Sequence, residues 1–132
     1  MSQENVEAIR RMITAFNERS VEGMMAECDP GVTFKPVLAG VTDTPYRGEE
    51  GVRKFLAATD ESFEQFELHC ERIEDRGDFV LAVNAAYARG KASGVEIRRP
   101  IVQIAEVREG KCVWFQSFLT AAEALEAVGL RE

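Results

Sequence analysis

The sequence predicts an α+β domain, a cone-shaped curved antiparallel sheet wrapped by N-terminal helices, with a short helix at its C-terminal end. Three observations predict it. Apolar residues recur at helical spacing as far as Ala58. From Phe66 onward the apolar period changes to two. Turn-forming stretches then break the alternating region into a meander: Asp75-Arg76-Gly77-Asp78, Gly90–Gly94 and Arg108-Glu109-Gly110-Lys111.

The elements follow in order. Residues 3–16 form an amphipathic helix, with Val6, Ile9, Ile13 and Phe16 on one face and Met12 beside them. Ser2 is placed to cap it. A shorter helix follows Ser20, with Val21, Met24, Met25 and Cys28 on one face, and Asp29-Pro30-Gly31 stops it. Residues 32–37 read as a short strand ending at an edge or bend, because Pro36 cannot donate to a ladder. A loop over 38–48 leads to a third helix, about 49–58, with Val52, Phe55 and Leu56 facing inward. Phe66, Leu68 and Cys70 then alternate with Glu67, His69 and Glu71 in a half-buried strand. The strand 79–89 is apolar or small on both faces, with Asn84 interrupting one of them. Strands over 95–107 and 112–119 complete the meander. Thr120-Ala121-Ala122-Glu123 reads as a capping box for the last helix, which turns Ala124, Leu125 and Val128 inward and stops at Gly129.

The 132 residues make one domain, 1–132, large enough to fold without disulfides or a structural metal. Net charge is −7, from 16 Lys+Arg against 23 Asp+Glu, with no basic cluster, which disfavours nucleic acid as a partner. No apolar run is long enough to span a bilayer, and the N-terminus lacks a signal-peptide pattern. Cys28, Cys70 and Cys112 match no metal spacing and read as reduced thiols. The expectation is a cytoplasmic domain without membrane contact. Because only one face of the strand 79–89 can meet the helices, the other is expected to carry a homodimer through the sheet, extended by Trp114, Gln116 and Phe118.

Several stretches resemble the SnoaL-like branch of the nuclear-transport-factor-2-like superfamily, the cone fold of ketosteroid isomerases and polyketide cyclases. They are the N-terminal Met1–Val6, Tyr46-Arg47-Gly48 with Gly51-Val52-Arg53, Gly77-Asp78, Gly94-Val95-Glu96, Gly110-Lys111 and the ending 122–130. The resemblance implies the cone fold over the whole chain and a cavity between sheet and helices. It does not imply one activity, because this scaffold hosts isomerases, cyclases, dehydratases, epoxide hydrolases and binding modules. The Tyr, Asp and Asp of ketosteroid isomerases of this fold would fall near Met12, Lys35 and Gln103. A thioether, an ammonium and a primary amide cannot replace them chemically. The His and Asp set of the cyclases and the Asp-Arg-Asp set of the epoxide hydrolases are also incomplete: the only histidine is His69, and Arg99 is followed two residues on by Ile101.

The remaining candidates are residues whose type disagrees with their surroundings. Gln103 sits between Ile101 and Ala105 in an apolar stripe, either as a satisfied core amide or as a group that orients a ligand carbonyl. Asn84 lies among alanines on the neighbouring strand, which leaves either a cavity or room for a bulky helix. Met12, Phe16, Phe34, Phe115 and Tyr46, together with Met24, Met25, Phe55 and Trp114, supply pocket lining or plain core. Lys35 is a solvated strand-end lysine or, if buried at the cavity mouth, a base or Schiff-base nucleophile. Glu67, His69 and Glu71 share one strand face at a spacing that could hold zinc, but a run of this kind is more simply a wet strand face, and no metal or cofactor is assigned. The reading is a small apolar cavity that binds a small hydrophobic or polyketide-like molecule. The alternative is an isomerase- or cyclase-type enzyme acting on a small carbonyl compound with neutral donors and Lys35.

Overall fold

The computed structural model describes residues 2–36 and 45–131. Helices α1 (Ser2–Asn17) and α2 (Val21–Ala26) precede strand β1 (Cys28–Lys35). A two-residue strand β2 (Tyr46–Arg47) leads into α3 (Gly48–Ser62). The meander is β3 (Phe63–Asp75), β4 (Val80–Gly90), β5 (Glu96–Arg108) and β6 (Lys111–Phe118), and α4 (Ala121–Arg131) closes the chain. The six strands form one curved, unclosed sheet in the order β2-β1-β6-β5-β4-β3.

The helical stripe of α1 does what its spacing requires. Ala8, Ile9, Met12, Ile13, Ala15 and Phe16 are all buried against the sheet. The helix ends where Arg19 takes φ +55, and the Arg19 and Ser20 amides return to the carbonyls of Phe16 and Ala15. Two side chains at this end then tie the helix to β3. Asn17 Nδ2 donates to the Leu68 carbonyl at 2.8 Å, and the Leu68 amide donates to Asn17 Oδ1 at 2.9 Å. Arg19 donates to the carbonyls of Phe16 (2.7 Å) and Phe66 (2.9 Å) and to Asp60 of α3 (2.8 Å).

Ser20 caps α2, its hydroxyl accepting from the Gly23 amide at 2.9 Å. Cys28 is not on the face of this helix. It opens β1, which runs through Asp29-Pro30-Gly31 and pairs in parallel with β6. A register shift between Cys28 and Thr33 absorbs the turn-forming residues, so the local signal bends the strand instead of stopping it. The expected loop over 38–48 lies outside the described residues as far as position 44. Its end is strand, because Tyr46 and Arg47 pair with Phe34 and Thr33.

Two glycines explain the Tyr46–Arg53 stretch. Gly48 has φ +62, and a Cβ there would stand 2.9 Å from the Pro30 carbonyl oxygen. A Cβ on Gly51 would stand 2.8 Å from the backbone of Tyr46. The first glycine lets β2 turn directly into α3, and the second lets α3 pack on β2. Helix α3 runs to Ser62, beyond the expected 58, with Thr59 buried in its last turns and its hydroxyl donating to the Phe55 carbonyl at 2.9 Å.

Strand β4 is apolar on both faces because the sheet is covered on both. Val80, Ala82, Ala86 and Ala88 join the main core under α1–α3. On the other face Leu81 joins Val102, Ile104, Ala124 and Val128 in a second cluster under α4, with Val83, Trp114 and Phe118 packed against it. Part of the face expected to meet a second subunit is therefore covered by the chain's own last helix. Thr120 caps that helix as expected: its hydroxyl accepts from the Glu123 amide and donates to the Glu123 carboxylate, both at 3.1 Å. Leu125 does not turn inward and is 40% exposed. Gly129 does not stop α4, which continues to Arg131.

Candidate functional site

The concave face of the sheet and helices α1–α3 enclose a cavity of about 40 Å³. Helix α1 contributes Met12, Ile13 and Phe16, α2 contributes Met24, and α3 contributes Phe55 and Thr59. The sheet contributes Phe34, Phe66, Leu68, Ile101, Gln103, Phe115 and Ser117, and Pro36 stands just beyond β1. The aromatic rings pack on one another. Phe34 lies 5.4 Å from Phe115 and 6.1 Å from Phe55, and Phe16 lies 5.5 Å from Phe55 and 5.8 Å from Phe66. These distances are within the range of favourable ring pairs, which rigidify the wall. Met12 and Met24 are its adaptable parts.

None of the described residues that line the cavity ionises near neutral pH. Of its polar side chains, Thr59 is committed to its own helix. Gln103 is 5% exposed and pairs in register with Ser117 of β6 and Ala82 of β4. Asn84, fully buried, is on the adjacent strand β4. Asn84 Nδ2 donates to Gln103 Oε1 at 2.9 Å and to the Ile101 carbonyl at 3.2 Å. Asn84 Oδ1 has no hydrogen-bond partner. The two amides thus form one pair in the floor of the cavity, reached because β4 and β5 align Asn84 with Ile101 and Ala82 with Gln103.

This arrangement can hold a neutral apolar molecule and offer it hydrogen bonds. Proton abstraction needs a group whose pKa lies near the working pH, and the described lining has none.

The SnoaL-like domain profile matches residues 9–115. The chain belongs to the SnoaL-like domain family. Solved structures share its fold at low sequence identity. A putative SnoaL-like polyketide cyclase from Jannaschia sp. CCS1 is 18% identical over 96% of this chain and 91% of its own, with a TM-score of 0.77. TerC, co-crystallised with polyporic acid, is 20% identical over 96% and 98%, with a TM-score of 0.78. A protein of ketosteroid isomerase-like fold from Catenulispora acidiphila DSM 44928, in complex with trimethylamine, is 15% identical over 93% and 92%, with a TM-score of 0.75. No curated protein matches the sequence.

In this SnoaL-like chain Met12, Phe16, Phe34, Phe115 and Gln103 line the cavity, and Asn84 is bonded to Gln103 from the adjacent strand. Tyr46 does not line it. It is half-buried on β2, one layer back, with its ring 5.8 Å from Phe55. Lys35 does not reach the cavity either. The pleat that buries Phe34 turns the next residue to the opposite side, and Lys35 is exposed. Trp114 belongs to the cluster under α4, not to the cavity. Phe66 and Leu68 are lining residues whose signal was the buried face of their alternating strand. Ile13, Thr59, Ile101 and Ser117 carried no sign that separated pocket from core.

Outside the cavity, His69 and Glu67 are partly exposed and 3.7 Å apart, while a register shift between Cys70 and Arg72 displaces Glu71 from their row. Among the described residues no cluster of three or more His, Cys, Asp or Glu side chains could hold a metal. The three cysteines are free thiols. Cys112 and Cys28 face each other across β6 and β1, and their hydrogen bond, reinforced by burial, pushes the Cys112 thiol well above the usual thiol range. No helix among the described residues is long and apolar enough to cross a membrane.

Proposed function

We propose that this SnoaL-like chain binds a small, neutral, largely apolar molecule of polyketide-like chemistry between sheet and helices, without acid–base catalysis by the residues described. One observation carries the reading: the wall is aromatic and aliphatic, and its buried polar floor is the Gln103 amide. Sites for small molecules are commonly built this way, mostly apolar with a few placed polar groups. The fold neighbours include a putative polyketide cyclase and a protein co-crystallised with polyporic acid, which suits a ligand of that class. Pockets for such ligands commonly measure roughly 300–1,000 Å³. The cavity therefore has to widen on binding, and Met12 and Met24, with their unbranched thioether chains, are the lining residues best suited to yield.

The test is thermal unfolding with a panel of aromatic ketones and quinones, alongside a 5-ene-3-ketosteroid isomerisation assay. The expected result is a saturable rise in the unfolding midpoint with at least one panel member, equivalent to about 2.7 kcal/mol at a hundredfold excess over Kd, and no isomerisation above background. Absence of any shift, or steroid turnover in the purified protein, would overturn the reading.

We further propose that a homodimer forms through the outer sheet face beyond α4, around Ala85 and Tyr87. Arg98 donates to the Tyr87 hydroxyl there at 2.9 Å, and the His69 ring lies tilted at 4.6 Å from the Tyr87 ring. Light scattering at tens of micromolar should give twice the chain mass, and a clean monomer mass refutes this placement.

A further inference from the structure

We propose that Asn84 is a positioning residue that fixes the Gln103 amide with its N–H side toward the cavity, so that the site takes its ligand through a carbonyl oxygen. The inference rests on the binding reading above and adds the polarity of the ligand.

The orientation follows from what each atom can do. The Ile101 main-chain carbonyl can only accept a hydrogen bond. The Asn84 atom 3.2 Å from it must therefore be the amide nitrogen, because an oxygen there would set two acceptors against each other. The same nitrogen lies 2.9 Å from Gln103, so the Gln103 atom facing it must be the oxygen. Turning the Gln103 amide over would set donor against donor. Gln103 Nε2 is then the amide atom left for the cavity, and it brings two N–H groups to a wall otherwise apolar except for the hydroxyls of Thr59 and Ser117.

Asn84 holds this orientation at a cost. It is fully buried, and its Oδ1 finds no partner. Leucine has the same branched outline and, with its neighbours repacked, would leave no orphaned oxygen. A buried amide half of which is unsatisfied is a poor packing choice. What it supplies, and leucine cannot, is a donor that selects one face of its neighbour. A ligand with a carbonyl oxygen completes the chain Ile101–Asn84–Gln103–ligand with every contact a donor meeting an acceptor. A ligand that presents only an N–H there meets a second donor.

The test uses acetophenone and its isostere α-methylstyrene, in which a methylene replaces the carbonyl oxygen. The ratio of their dissociation constants is measured in wild type, Gln103→Leu and Asn84→Asp, so that differences in solvation cancel. An aspartic acid at 84 donates at most one hydrogen bond. With its proton on the Ile101 carbonyl, its oxygen faces Gln103, which turns its amide over and presents Oε1 to the cavity. The expected result is a loss of preference for acetophenone of roughly tenfold in both variants, the worth of one hydrogen bond. The carbonyl stretching band of bound acetophenone gives a second readout that a packing role would not move. It should lie at lower frequency than in hydrocarbon for wild type, and return toward the hydrocarbon value in Asn84→Asp. If Asn84→Asp does not fold, the wild-type band and the Gln103→Leu ratio decide. An unshifted band in wild type, or an unchanged ratio with both compounds bound, overturns the positioning role and leaves cavity binding intact. Failure of both compounds to bind wild type overturns the binding reading together with it.

Discussion

Phe34→Ala will cost the fold about 3–5 kcal/mol and lower the unfolding midpoint by more than ~10 °C. Phe34 is 2% exposed and sits at the meeting point of three elements, with its ring against Phe115 of β6 and Phe55 of α3. Deleting it removes both ring pairs and leaves a void that opens directly into the existing cavity. Neither β1 nor β6 can relax into that space, because they are hydrogen-bonded in register through Phe34 and Phe115. The void is walled largely by aromatic rings, so a benzene-sized molecule should bind it and return part of the lost stability, as apolar cavities do when filled. Chemical denaturation of wild type and variant measures the first effect, and its repetition in benzene-saturated buffer measures the second. A loss below about 1 kcal/mol would mean that the ring is not the keystone its contacts describe.

Asn17→Ala should cost about 1–3 kcal/mol through the loss of two hydrogen bonds. The Asn17 amide meets Leu68 at both its carbonyl and its amide, at 2.8 and 2.9 Å, in the geometry by which one strand residue pairs with another. Only a primary amide supplies donor and acceptor side by side on so short a stem. Asn17→Asp keeps the volume and the acceptor but sets a carboxylate oxygen against the Leu68 carbonyl, and should be at least as damaging as alanine. Urea unfolding reads both from the midpoint at constant slope. Aspartate equal to wild type would show that the paired geometry contributes nothing.

Asn17 also marks the limit of what the sequence could disclose. The helices and the meander were legible because burial writes a period: Ile9, Met12, Ile13 and Phe16 at helical spacing, Phe66 and Leu68 at two. The capping box at Thr120 was legible because its chemistry is local. Contacts set by distant chain segments left no local trace. Nothing near Asn17 predicts Leu68, and nothing near Asp29-Pro30-Gly31 reveals that β6 holds it as strand. The cavity was half legible for the same reason. Gln103 and Asn84 stood out as polar residues in apolar stripes, and their bond to each other needed only the register of two neighbouring strands. The side that Lys35 and Tyr46 face is set by the pleat of β1 and by the strand it makes with β2, which no local pattern discloses.

Among the described residues the sheet has two borders, and neither invites another strand. One ends in β2, two residues long, too short to template a further strand. The other is β3, whose outward groups at Phe66 and Leu68 are already occupied by Arg19 and Asn17, and whose register breaks after Cys70. Charged side chains at Glu64, Glu71 and Arg72 guard the rest of that border. Edge-to-edge growth into extended fibrils is thus denied at both borders. Association of folded chains is left to the broad faces, where contact between copies can close on itself and stop at a defined number.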